Sequence, residues 1–344
     1  SPQRLTAPRN SALGGGVIDP LRSRWLGVIE ESGCDLLVSV ALDQRDQTPD
    51  VVHQPADFAG YLAISSDGAQ LAWVEWRQPS MPWDCSQLVV ARLRTSGALE
   101  DCHMIAGGEP SQPQGISVFQ PQWLPDGSLV VAEDSSGWWN LMLEDPATES
   151  WERPWPMAAE TAMPQWIYGM STTAWDGNKL LAAVCDQGEW QLQRLGLDGS
   201  AERVEQPFND LADLNASNGR AVAITSNSTT GQGLLELDLG LGTWKHTPAA
   251  AAAMEVNEIS VGQSLWFDGS GGQRTHAWYY PPSGGADASS PLLVKSHSGP
   301  SSMARRGLSL AIQFWTSRGW GVVDVNYGGS TGFGRTYRDR LQGG

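Results

Sequence analysis

Histidine is scarce in this chain, with five copies in 344 residues, and none follows His297. Cysteine is scarcer still. Cys34, Cys85, Cys102 and Cys185 stand far apart with no CxxC pair, and Cys102-His103 is a lone neighbour pair. Structural metal sites draw on clustered ligands at recurrent spacing, so no metal and no cofactor is expected. The same spacing reads as buried, reduced thiols of a cytoplasmic protein. Long hydrophobic runs are missing. Nothing approaches the ~20 apolar residues of a membrane span, so no membrane partner is expected. No charged opening followed by an apolar stretch marks a signal peptide. Residue 1 is Ser and not Met, so the N-terminus is taken as incomplete, which leaves a signal peptide open. Basic residues are few, 22 against 38 acids, and the net charge is −16. A nucleic-acid partner would need a basic footprint and is excluded.

The charge is uneven. Seven basic residues lie between Pro291 and Gly344 (Lys295, Arg305, Arg306, Arg318, Arg335, Arg338 and Arg340), opposed by Asp324 and Asp339. That stretch carries +5 and the first 290 residues carry −21. The shift marks two parts, whose opposite charges favour docking of the acidic part on the basic one.

The first ~250 residues read as all-β with a loose repeat. Each copy is a turn dipeptide followed by an apolar strand: Asp67-Gly68 before AQLAWVEW, Asp126-Gly127 before SLVVAE, Asp176-Gly177 before NKLLAAV, and Asn218-Gly219 before RAVAIT. Such dipeptides tolerate φ > 0 at both central positions, which predicts tight hairpins. A second strand follows each: QLVVARL, WWNLML, WQLQRLGL and GLLELDL. A recurring unit of ~40–50 residues with four short strands is the size of a propeller blade, and its recurrence favours a propeller over a sandwich. Tryptophans near these strands (Trp73, Trp76, Trp123, Trp138, Trp139 and Trp190) are expected between sheets.

Past the low-complexity stretch TPAAAAAMEVNE, a linker or short helix, the pattern changes. SLWFDGSGGQRTHAWYYPP predicts a hairpin turning at Asp268 to Gly272. PLLVKSH predicts a strand of the buried parallel type. SMARRGLSLAIQFWTSRG predicts a helix with Leu308, Leu310, Ala311, Phe314 and Trp315 on one face and Gly319 at C′. WGVVDVNY predicts a second buried strand, and FGRTYRDRLQ the start of another helix. Strand, helix, strand with a right-handed crossover opens an α/β sheet. The fold expected is mainly β: a β-propeller over residues 1–250, then the first strands and helix of an α/β-hydrolase domain over 251–344.

Two segments carry candidate chemistry. His297-Ser298-Gly299-Pro300 lies between a strand and a predicted helix N-terminus, where an α/β-hydrolase places one oxyanion-hole donor; an ordinary strand-to-helix turn reads the same way. Gly328-Gly329-Ser330-Thr331-Gly332 matches G-x-S-x-G after a strand. A serine nucleophile needs a base, and in that fold the histidine follows the serine in the chain. None follows Ser330, so Ser330 reads as part of a supporting glycine-rich loop.

LLVKSHSGP and LSLAIQFWTSRGWGVVDVNYGGSTGFGRTYRDRL resemble the start of the hydrolase domain of prolyl oligopeptidase family serine peptidases, nearest to the dipeptidyl- and acylaminoacyl-peptidase branch. QPQWLPDGSLVVAEDSSGWWNLM and MPWDCSQLVVARL resemble that branch's propeller blades. The resemblance implies a serine peptidase whose propeller caps the active site and admits short peptides. It implies that the Gly299 N–H is an oxyanion donor, that His297 shapes the loop, and that Asn326, Tyr327, Gly328, Gly329 and Ser330 form the supporting loop. Ser298 stands where the family usually has Gly, which would add strain if the position needs φ > 0. Gly328 stands where many relatives carry Arg. The family's catalytic Ser, Asp and His lie downstream of this loop, so no catalytic residue is assigned, the chain is read as ending before the triad at Leu341-Gln342-Gly343-Gly344, and it is expected to be inactive alone. The alternative is a propeller that binds a peptide or protein without catalysis. Glu75 and Glu133 are possible anchors for a peptide N-terminus.

Overall fold

The computed structural model describes residues 3–109 and 115–342. Ser1, Gly343 and Gly344 lie outside the described residues. Five antiparallel four-stranded meanders come first. They are β1 (Ala12–Asp19), β2 (Arg24–Glu31), β3 (Cys34–Ala41) and β4 (Asp50–His53); β5 (Phe58–Ile64), β6 (Gln70–Trp76), β7 (Gln87–Leu93) and β8 (Leu99–Gly107); and β9 (Val118–Trp123), β10 (Leu129–Glu133), β11 (Asn140–Asp145) and β12 (Ser150–Glu152). Then follow β13 (Thr173–Trp175), β14 (Leu180–Asp186), β15 (Glu189–Leu195) and β16 (Ala201–Arg203); and β17 (Asp210–Ser217), β18 (Arg220–Ser226), β19 (Gly233–Asp238) and β20 (Thr243–Pro248). A four-stranded meander of this kind is a propeller blade. The chain forms two compact units. One holds Ser1–Pro156 with Gln165–Met170, and the other Met157–Pro164 with Ser171–Gly344.

The four predicted turn dipeptides join the first and second strands of the second to fifth blades. Their geometry differs from the expectation. Only Asn218-Gly219 has φ > 0 at both positions. At Asp67-Gly68, Asp126-Gly127 and Asp176-Gly177 the glycine alone is left-handed. There the aspartate accepts a backbone N–H two residues on, from Ala69 (2.9 Å), Ser128 (2.9 Å) and Asn178 (2.7 Å). The carboxylate caps the turn, so it has no need of a left-handed aspartate. The first blade has no such dipeptide; Pro20–Ser23 make its turn, which is why the repeat began one blade late in the sequence.

Burial explains the strand sequences. β6, β10 and β14 are buried almost continuously, which is why they are apolar at nearly every position and do not alternate. Leu26, Val28 and Leu37 of the first blade pack on Ala59, Leu62, Leu71 and Trp73 of the second. Ala72, Val74 and Leu88 of the second pack on Val118, Leu129 and Val131 of the third. Of the six tryptophans expected between sheets, Trp73, Trp139 and Trp190 are buried, and Trp76, Trp123 and Trp138 are only partly so. In the first, second, third and fifth blades the first strand is broken by a bulge. A left-handed residue sits in each: Gly15, Tyr61, Gln120 and Asp213. Residues 165–168 strap β5 and β9 within their unit. Gln165 donates to the Val118 carbonyl, Tyr61 to the Ile167 carbonyl (2.7 Å), and Tyr168 to the Ala59 carbonyl (3.1 Å).

The sixth sheet is mixed, in the order β21-β22-β24-β23. Its strands are β21 (Gln263–Asp268), β22 (Arg274–Tyr280), β23 (Leu292–Ser296) and β24 (Gly321–Asn326), and β23 and β24 are parallel. The hairpin turning at Asp268–Gly272 is present. Three expectations need correction. β23 is an exposed edge and not a buried strand, with Leu292 54 % and Val294 66 % exposed. The helix α1 spans only Leu310–Thr316. Residues 302–309 are not helical because their backbone groups and arginines bond elsewhere, as described below. Finally, α1 buries Ile312, Gln313 and Thr316, while Leu310, Phe314 and Trp315 face outward. The Gln313 amide fixes that rotation by exchanging hydrogen bonds with the Ser260 backbone (2.8 and 2.9 Å). Gly319 closes the helix with φ +81, as expected of C′. FGRTYRDRLQ forms the four-residue α2 (Arg335–Arg338) and a short 3-10 turn. All four cysteines are free; Cys85 and Cys185 are buried, whereas Cys34 and Cys102 are exposed, contrary to the expectation of four buried thiols.

Candidate active site

The loop His297–Pro300 leaves the C-terminal end of β23, and the glycine-rich loop Tyr327–Gly332 leaves the C-terminal end of β24. Parallel pairing sets the two strand ends side by side, with Ser296 opposite Val325, so the two loops meet. His297 and Tyr327 stack at 4.4 Å between ring centroids. The Tyr327 hydroxyl donates to the His297 carbonyl at 3.1 Å. Thr331 donates its N–H to the Ser302 carbonyl (2.8 Å).

The structure also joins two residues that chain order kept apart. His297 Nε2 lies 2.7 Å from Ser330 Oγ. Its Nδ1 lies 2.9 Å from the Ser298 carbonyl, which can only accept. Nδ1 therefore carries the proton, and Nε2 accepts from the Ser330 hydroxyl. Burial holds the ring below the usual histidine range, against the pull of the Ser298 carbonyl and Asp324. A histidine thus does reach Ser330, and the lack of a later histidine does not leave that serine without a partner. The pair still lacks two parts of a hydrolytic centre. Ser330 is fully buried, and the Nδ1 of His297 is held by a backbone carbonyl where a triad has a carboxylate. The contact ties the two loops together.

Gly299 has φ +142, and a Cβ there would approach the Ser302 Cβ to 3.0 Å. Ser298 is not among the left-handed residues, so it carries no strain; Gly299 takes the special conformation. Gly328 lies against the Arg340 side chain, 3.1 Å from where its own Cβ would be. Gly329 is left-handed and donates its N–H to the Tyr337 carbonyl (3.1 Å).

Beneath both loops lies a buried polar network that the sequence did not reveal. The Ala304 N–H donates to Asn326 Oδ1 (2.6 Å), and its carbonyl accepts from Trp278 Nε1 (3.0 Å). With Oδ1 so engaged, the Asn326 amide nitrogen faces His276 Nδ1 at 2.9 Å. His276 then donates from Nε2 to Ser264 Oγ (3.1 Å). Its ring is fully buried, and burial pushes its pKa down to about 4. Tyr337 donates to the Asn326 carbonyl and accepts the His276 N–H (3.1 Å). Asn326 was named by the family resemblance; His276 had only strand alternation to mark it.

The two acids considered for a peptide N-terminus are engaged internally. Glu75 accepts from Trp73 Nε1 (2.7 Å) and contacts His53 Nε2 (2.8 Å). Glu133 pairs with Arg153 (2.6 Å) and accepts from the Ser135 N–H (3.1 Å) and hydroxyl (2.9 Å).

No family model matches the chain, and no curated protein does. Solved structures match it strongly. Puromycin hydrolase superposes with a TM-score of 0.92 and 32% identity, over 100% of this chain and 55% of that one. A puromycin-hydrolyzing peptidase from Mycobacterium tuberculosis gives 0.90 and 28%, over 98% of this chain and 55% of that one. Oligopeptidase B from Trypanosoma brucei shares the fold, with a TM-score of 0.70 at 13% identity over 95% of this chain and 47% of that one. The chain spans about half the length of the solved proteins it matches. A prolyl endopeptidase shares the fold as well, with a TM-score of 0.76 at 14% identity over 94% of this chain and 48% of that one, so the chain is similar in fold to the prolyl oligopeptidase family.

Proposed function

We propose that residues 1–250 are the propeller, and residues 251–344 the opening of the α/β-hydrolase domain, of a serine peptidase that cleaves short peptides. The observation that carries this is the His297–Pro300 loop. It follows a parallel strand, its Gly299 is left-handed, and it is anchored at Ala304 by two buried side chains. That arrangement suits a backbone N–H held toward a developing oxyanion. The sixth sheet supports the hydrolase half through its parallel β23–β24 pair and intervening α1. A puromycin hydrolase mutant has been solved in complex with PGG, which supports a short peptide as substrate.

In this reading the nucleophile, its base and the carboxylate are not among these 344 residues, and the chain alone does not turn over peptide. A serine-directed fluorophosphonate is expected to leave the chain unlabelled. Labelling that disappears in Ser330→Ala would make Ser330 a nucleophile and overturn the assignment. In a peptidase carrying this chain, Gly299→Ala keeps the N–H but displaces it, because an alanine at φ +142 is strained and its Cβ meets the Ser302 Cβ; kcat is expected to fall by up to roughly 10²–10³-fold, the typical effect of losing one oxyanion donor.

A further inference from the structure

Between the candidate oxyanion loop and α1, residues 304–308 touch two blades of their own unit. Arg305 pairs through Nε with Asp210 Oδ1 at the start of β17 and donates from Nη2 to the Leu211 carbonyl (2.7 Å). Its guanidinium lies 5.6 Å from the Trp190 ring centroid. Arg306 pairs with Glu189 at the start of β15, donates to the Gly262 carbonyl (3.3 Å) and lies 5.1 Å from the Trp278 ring centroid. The Arg306 carbonyl accepts from Ser228 Oγ (3.3 Å), and Leu308 donates its N–H to the Asn227 carbonyl (2.9 Å). A Cβ on Gly307 would collide with Ser226 Oγ and Asp210 Oδ2.

From these contacts we infer that Arg305 and Arg306 are positioning residues: with Asp210 and Glu189 they form an ionic clamp that holds the Gly299-bearing loop in register with the fourth and fifth blades. Three features set the clamp apart from ordinary surface ion pairs. Both arginines point from one short irregular segment to two different sheets. Each pair has one partly buried partner, Asp210 at 15 % against Arg305 at 34 % and Arg306 at 21 % against Glu189 at 45 %, so solvent screens the Arg305–Asp210 pair less than a fully exposed one and the Arg306–Glu189 pair only slightly less. And the residue before them, Ala304, has both backbone groups held by the sixth sheet. The chain there has little freedom between sheet and blade. Loosening one end is felt within the few residues up to Gly299.

The clamp stands on contacts alone. Its effect on catalysis rests on the proposed role of Gly299. Hydrogen exchange separates the two. In Asp210→Asn the amides of Ala304, Leu308 and Thr331 are expected to exchange about tenfold faster, with a smaller change in Glu189→Gln. Asp210→Glu restores protection. Glu202→Gln, which removes the Lys179–Glu202 pair of the fourth blade without touching the loop, changes nothing there. Unchanged exchange in both clamp variants overturns the clamp; so does an equal loss of protection along β14 and β18, which would be general destabilisation. If Asp210→Asn fails to fold, the unmodified chain gives the same readout between about 0.05 and about 0.5 M salt. Several-fold faster exchange at Ala304 and Leu308 at the higher salt is expected there, and no change overturns the clamp. In a peptidase carrying the chain, Asp210→Asn is expected to lower kcat with KM held. A loosened loop with unchanged kcat leaves the clamp standing and removes Gly299 from the oxyanion role.

Discussion

His276 is enclosed on every side by groups that suit its neutral form. Asn326 donates to Nδ1, Ser264 takes the Nε2 proton, and no exposed surface is left for a second proton to be hydrated. The unfolded chain binds that proton near pH 6.5, whereas the folded chain resists until about pH 4. Between those values the unfolded state holds more protons, so stability rises with pH and is lost as pH falls through the window. The gap corresponds to roughly 3 kcal/mol at its lower end. Unfolding in denaturant at a series of pH values is expected to show this slope in the natural chain and a shallower one in His276→Gln. Equal slopes would assign the effect to other groups. At this scale the sequence was half legible. G-x-S-x-G and HSGP can be seen as strings, and they named His297, Gly299 and Ser330, while Asn326 came from the family resemblance. The string cannot show that His297 and Ser330 meet, because parallel pairing of β23 and β24 brings them together across 33 positions. Nor does it show that Asn326 grips Ala304, since a buried amide is reported only by its partners.

Among the elements, the strap of residues 165–168 depends on missing side chains. The Tyr168 ring lies over Gly14, Gly15 and Gly60; a Cβ at Gly60 would come within 2.7 Å of the ring. Its hydroxyl reaches Asp35 at 3.3 Å, and burial beside that carboxylate raises the phenol well above the ordinary tyrosine range. Gly60 does not need a left-handed backbone, so Gly60→Ala tests sterics alone. It is expected to cost about 1–3 kcal/mol by overpacking. In a Tyr168→Ala background most of that penalty should vanish, and a double-mutant cycle on denaturant midpoints reads the coupling directly. Additive effects would mean that the ring does not press on Gly60. Strand positions were well read from alternation and Asp-Gly turns. The helix was overread: residues 302–309 follow a helical pattern, yet Asn326, Trp278 and the blade carboxylates take the backbone and side-chain groups a helix would use. Local propensity yields to such tertiary contacts.

At the scale of the whole molecule, the charge imbalance between the last 54 residues and the rest was legible in composition, and Arg305–Asp210 and Arg306–Glu189 give it two physical contacts. Exposed apolar groups tell a complementary story. β23 is an open edge carrying Leu292 and Val294, and α1 turns Leu310 and Phe314 to solvent. Unpaired edges with apolar side chains template pairing with another chain. The 344-residue chain is expected to self-associate with rising concentration in light scattering, and Val294→Lys to suppress it. Concentration-independent scattering in the unaltered chain would count against an active edge.

The inner-strand bulges have one further consequence. Gly15, Tyr61, Gln120 and Asp213 share a backbone conformation and share nothing chemically. At this position the likeness among these four blades is written in dihedral angles, unlike the Asp-Gly and Asn-Gly turns, which residue identity shows. Three of the four accept a conformation that glycine adopts freely, at a cost of order 1 kcal/mol each. Glycine at Tyr61, Gln120 or Asp213 is therefore the substitution each bulge tolerates best, as Gly15 illustrates, and a β-branched residue the one it tolerates least.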